Sequence, residues 1–210
     1  MRPEPKALIS PHFPAEKLED PTLDDLIDVF EDRVKYWLLE PAKKLMEGPP
    51  AEVAGFALSL SYFEGIWIFI SGRDSRSHSQ EFFRRAFIDV FKTSNLTEAL
   101  AGHVADVLYQ DGRCGFYHDG MARHRIYFSK NYSAPLGVTL PMKDGVIDET
   151  GTIASIVVDP PAYMLYVDGH FKKYVSRLRD PTETDLRRNF EQACRDKWDF
   201  EGEPVLIALD

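Results

Sequence analysis

Cysteine is scarce in this chain: only Cys114 and Cys194 occur in 210 residues, far apart and without a CxxC or Cys/His set at zinc spacing. That argues against a disulfide framework and a structural zinc site, and it suits a reducing, cytoplasmic compartment. Also missing are GxxxxGK[ST], a GxGxxG between strand and helix, HExxH and GxSxG, so the common phosphate-loop, dinucleotide, zinc-protease and serine-hydrolase signatures are absent. Neither a metal nor a cofactor is expected. Basic residues are the minority, 25 against 34 acidic, and the net charge of −9 opposes a surface uniformly adapted to nucleic acid. A nucleic-acid site, if present, is a local basic patch.

Long apolar runs are missing with one exception. Val53 to Gly72 has the length of a membrane span and a single charge, Glu64. An ionisable side chain near mid-bilayer costs a few kcal/mol, about 2.5–3.5 on insertion scales, and usually marks a multi-span bundle. No second such segment occurs, so the run reads as a central core helix covered by neighbours, and no membrane partner is expected.

The 44% hydrophobic and 28% charged residues are those of an ordinary globular domain. Residues 1–21 hold five prolines and no apolar run flanked by basic residues, which predicts an irregular arm that is neither signal peptide nor helix. Residues 22–200 read as one domain and 201–210 as a tail. The first helix starts at Thr22 and buries Leu23, Leu26, Ile27, Phe30, Val34, Trp37 and Leu38. Pro41 marks a kink or restart, and Gly48-Pro49-Pro50 ends the unit. After the apolar helix, capped by Gly72, a third helix covers about 80–91. A fourth takes Asn95 as cap with Glu98 reaching back. From about 122 to 158 the period becomes alternating or β-branched: Arg125–Phe128, Val138–Leu140 and Ile153–Val158 read as strands, with Asp144-Gly145 as a tight turn. Asp159-Pro160-Pro161 then caps a helix to about Arg179 burying Leu165, Phe171, Tyr174, Val175 and Leu178. Pro181-Thr182 introduces a last helix. The fold class is mainly α, a helical bundle with a small β insertion between its fourth and fifth long helices.

One stretch looks chemical: Arg113-Cys-Gly-Phe-Tyr-His118, closing the fourth helix. On an ideal α-helix, positions five apart point about 140° away from each other. Convergence then requires that the helix ends between them, that the arginine curls round, or that a second subunit brings its own copy. Gly112 and Gly115 favour the first, because glycine loosens helices. Histidine can exchange a proton near neutral pH and arginine can brace a phosphoryl oxygen, so the pair can cleave RNA without metal using the ribose 2′-hydroxyl. As a bare spacing it also fits a capping arginine and a loop histidine.

The stretch resembles the RxxxxH signature of the HEPN superfamily, which ends the penultimate core helix of an all-α bundle. The resemblance runs loosely over Thr22 to His118, with a further likeness from Val157 to Phe190. It implies a HEPN-like bundle and a cytoplasmic, metal-independent endoribonuclease, active as a homodimer that juxtaposes two motifs, as in toxin–antitoxin and phage-defence systems. No particular antitoxin or other protein partner is implied. Arg113 and His118 are then the catalytic pair. Cys114 stands where active members commonly carry asparagine or another polar side chain, and a thiol is a weak donor. The alternative is therefore a non-catalytic HEPN-like module for RNA binding or protein interaction. Glu64 is a supporting candidate that orients Arg113 or His118, or else forms a structural pair elsewhere. Tyr117 offers a ring for stacking, and Arg123 and Arg125 are the expected RNA contacts.

Overall fold

Thr22 opens the first helix through its hydroxyl, which accepts the Asp25 amide at 3.2 Å while the Asp25 carboxylate takes the Thr22 N–H, a reciprocal capping box. The computed structural model describes residues 8–130, 132 and 134–198, over which the chain is mainly α-helical. The expected tail and the first seven residues of the arm lie outside these. The rest of the arm is fastened to the first helix: the His12 amide and ring Nδ1 meet the Asp32 carboxylate at 2.9 and 2.7 Å.

α1 (Leu23–Arg33) passes through a π-helical segment (Val34–Leu39) into α2 (Glu40–Met46) without a break. Pro41 has no N–H for the preceding turn, and its ring crowds the carbonyl four residues back. A wider turn, in which the Glu40 amide bonds the Lys35 carbonyl five residues back, accommodates both. The expected kink or restart is thus a change of winding. It also rotates the buried face, so Leu39 enters the core while Trp37, expected inside, is 49% exposed beneath the Arg33 guanidinium.

α3 (Glu52–Ser71) is the long apolar run, and among the described residues it alone has the length and apolarity of a membrane span. Here it packs against α2, α4 (Ser79–Phe91) and α7 (Thr184–Trp198). Gly72 ends it at φ 66°, left-handed backbone that a side chain would strain. Gly55 lets α2 approach, since an added Cβ would lie 2.5 Å from the Ala42 carbonyl oxygen. α5 (Glu98–Val107) is capped by Thr97, whose hydroxyl accepts the Leu100 amide at 3.2 Å. The expected cap, Asn95, lies outside the helix: the extended residue whose oxygen faces the third amide of the helix is Thr97.

Among the described residues, two sheets form the β insertion. β1 (Ile126–Phe128) pairs parallel with β5 (Ser155–Val158), and β2 (Leu136–Thr139) pairs antiparallel with β5 on its other side. Between them, β3 (Met142–Lys143) and β4 (Val146–Ile147) make a small hairpin turning at Asp144-Gly145, both at positive φ. The Asp159 carboxylate caps α6 (Pro160–Leu178) by accepting the Ala162 amide at 3.0 Å. α6 turns Tyr163, Met164, Val167, Phe171, Tyr174 and Leu178 inward. Leu165, expected with them, falls off that stripe and is 72% exposed. Thr182 bonds the Asp180 carboxylate in a local turn instead of capping, and α7 begins two residues later.

Polar anchors tie α6 to the bundle. Tyr62 of α3 meets His170 Nδ1 at 2.7 Å, and His170 Nε2 meets Asp89 of α4 at 2.8 Å. The His170 bond, with Lys92 behind it, holds the Asp89 carboxyl well below the usual carboxylate range. A depressed folded-state pKa contributes stability that is present above the unfolded value, about 3.9, and lost as pH falls toward the folded one. Urea unfolding is therefore expected to show Asp89→Asn less stable than wild type at pH 7, the gap narrowing progressively as pH falls below about 4; a pH-independent gap would contradict this. Two glycines give opposite stability predictions. Gly169 is inside α6 with open space around its Cβ position, so Gly169→Ala is expected to stabilise by about 0.5–1 kcal/mol, whereas Gly55→Ala overpacks and is expected to cost about 1–3 kcal/mol.

Candidate functional site

The motif stretch continues α5 without interruption, but its winding changes. Leu108–Arg113 and Gly115–Asp119 are π-helical, with the Cys114 amide bonding the Tyr109 carbonyl and the Gly120 amide bonding the Gly115 carbonyl. A five-residue hydrogen bond adds most of a residue to each turn, so residues five apart lie roughly 50° apart round the axis rather than about 140°. Arg113 and His118 thus share a side of a continuous helix. The expected helix end between them does not occur. Gly112 and Gly115 serve close packing instead: a Cβ at Gly112 would lie 2.9 Å from Leu60 Cδ1, and one at Gly115 would lie 2.7 Å from the Met121 carbonyl oxygen.

Glu64 and Arg113 meet. Arg113 Nη2 donates to Glu64 Oε2 at 3.1 Å, and the buried Ser75 hydroxyl donates to Glu64 Oε1 at 2.8 Å. The guanidinium lies 4.5 Å from the Tyr117 ring and 5.9 Å from the Tyr109 ring, one helical turn on either side. Its Nε and Nη1 donors make no bond among the described residues, which leaves them free for an incoming oxygen. His118 is exposed, and its imidazole has no hydrogen-bond partner among those residues. Tyr117 is 60% exposed, and Met121 and Tyr127 are also open to solvent. Cys114 is half-buried and free.

The two arginines after the motif are both engaged. Arg125 Nε bonds the buried Asp111 carboxylate at 2.5 Å, and Arg123 Nε bonds Asp119 at 2.7 Å while its amide donates to the Asp111 carbonyl. Arg125 therefore holds the first strand of the insertion against the motif helix. Arg123 keeps a more exposed side chain. No family model, curated protein or solved structure matches the chain. Ser75 and Asp111 are site residues that sequence reasoning missed. Asp111 stands two residues before Arg113, and a carboxylate on the inward side of an apolar helix requires a partner; nothing in the local sequence marks Ser75. Among the described residues, no three His, Cys, Asp or Glu side chains gather as a metal site.

The Glu64–Arg113 contact gives a graded prediction. Glu64→Ala leaves the guanidinium and the Ser75 hydroxyl without their acceptor and is expected to cost about 1–3 kcal/mol in urea unfolding. Glu64→Gln keeps an acceptor oxygen and is expected to cost less than half as much. Equal losses would mean that charge rather than hydrogen bonding carries the contact.

Proposed function

We propose that the chain is a HEPN-like, metal-independent endoribonuclease of the cytoplasm that works as a homodimer. The observation that carries this reading is the π-wound stretch, which brings Arg113 and His118 to one side of a helix with the guanidinium already anchored by Glu64. In this mechanism His118 takes the proton of a ribose 2′-hydroxyl, the 2′-oxygen attacks the adjacent phosphorus, and the bond to the 5′-oxygen breaks. The proton held by His118 is returned, directly or through water, to the leaving 5′-oxygen, giving a 2′,3′-cyclic phosphate and a 5′-hydroxyl. Arg113 braces the non-bridging oxygens through Nε and Nη1, which Glu64 leaves uncommitted. Tyr117 offers an exposed ring for a base. Exposed Tyr117, Met121 and Tyr127 around the motif support its burial against a second copy.

A second reading is a non-catalytic RNA-binding or interaction module. It is favoured by Cys114 after the arginine, and within it the ion pairs of Arg123 and Arg125, which leave little free positive charge for a phosphate backbone, favour protein interaction over RNA binding.

Incubating cellular RNA with the purified protein in chelator separates the two. Cleavage is expected with wild type and is expected to fall about 10²–10⁴-fold in His118→Ala, with Arg113→Ala also impaired and both variants checked for folding by thermal melting. Intact RNA with a well-folded wild type would leave the module.

A further inference from the structure

Away from the motif, α4, α6 and the end of α3 line a half-open cavity of about 370 Å³. That volume is at the small end of the range for ligand sites. Ile70, Val90, Leu165 and Tyr166 supply apolar wall, while Lys92, Lys173 and Arg177 set three cations against one carboxylate, Asp89. In a chain of net charge −9 this local excess runs against the molecule as a whole.

The polar groups already in the wall show what remains open. Asp89 is satisfied by His170 at 2.8 Å and by Lys92 at 2.5 Å, and both ring nitrogens of His170 are engaged. Arg177 is held by Glu183 at 2.6 and 2.8 Å. Lys173 has no ion-pair partner among the described residues, and about two turns back along α6 Leu165 is exposed on a helix whose other large apolar side chains are mostly inward. An unpaired ammonium and an uncovered leucine, about two helical turns apart along one wall of the same cavity, match a molecule with a negative head and an extended apolar body. A cation would meet repulsion there, and a polyanion chain is too large for the volume.

We propose that this cavity binds a small amphiphilic anion, with a single carboxylate or phosphate head at Lys173 and an apolar body along Leu165, Val90 and Ile70. The site is independent of Arg113 and His118.

Titration calorimetry of the full chain with octanoate and with octyl phosphate tests this, with octan-1-ol and octylamine as neutral and cationic counterparts. At least one anion is expected to bind saturably below about 1 mM, and the two counterparts at least about tenfold more weakly. The tighter anion identifies the head. Amide resonance shifts are expected within 89–93 and 165–177. Lys173→Glu and Leu165→Asp change exposed side chains and are expected to melt like wild type, yet each weakens the anion by about tenfold or more. Absence of saturable binding by either anion in that range, equal binding of octan-1-ol, shifts centred elsewhere, or full affinity in both variants would overturn the assignment.

Discussion

A 20-residue apolar helix with one carboxylate in its second half sets the terms for everything around it. The apolar surface has to be covered, and α2, α4, α7 and the start of the motif stretch pack against it. The carboxylate has to be answered, because an unpaired ionised group taken out of water costs several kcal/mol, on the order of the stability of a domain. Glu64 is answered twice, by Arg113 from the motif helix and by Ser75 from the loop that follows α3. Burial of α3 therefore fixes where Arg113 stands, and the position of the arginine follows from the core.

The same demand accounts for the winding. π-helical turns are rare in isolation and persist where tertiary contacts over-determine them. Here those contacts are specific. Leu60 and Ile126 close on Gly112, the Met121 carbonyl closes on Gly115, and Asp111 holds the entry to β1 through both its carbonyl and its carboxylate. The π segment before Pro41 has a different cause, a missing N–H and a crowding ring. Both have one geometric effect, since each shifts the register of every later side chain on its helix by a fraction of a turn.

That effect marks how far the sequence could be read. Element types came through because apolar period and cap chemistry are local: Thr22, Asp159 and the Asp144-Gly145 turn each do what their side chains permit. Facing was less legible. A period that assumes uniform α winding misplaces Trp37, and a stripe three and four apart, which can be drawn along two neighbouring lines of a helix, misplaces Leu165. The same assumption of α winding separates Arg113 from His118 by about 140° on paper, whereas the π turns bring them closer round the axis. The Glu64–Arg113 contact spans 49 residues; local pattern shows that such a carboxylate needs a partner, and only the packing of α3 against the motif helix selects which one.

The pairing also shapes what the motif can do electrostatically. With Glu64 at 3.1 Å, the charge of Arg113 is largely offset when seen from beyond a Debye length, about 8 Å at physiological salt. Arg123 and Arg125 are offset in the same way by Asp119 and Asp111. A net charge of −9 adds repulsion toward any polyanion. Long-range steering is therefore weak at this face, and the recognition proposed for it falls to short-range groups: the Nε and Nη1 of a guanidinium held between two tyrosine rings, which no described residue engages, and an exposed imidazole about one π turn away. Such an arrangement trades capture rate for orientation, because a guanidinium fixed by a carboxylate and flanked by rings has little rotamer freedom left to lose when an oxygen arrives.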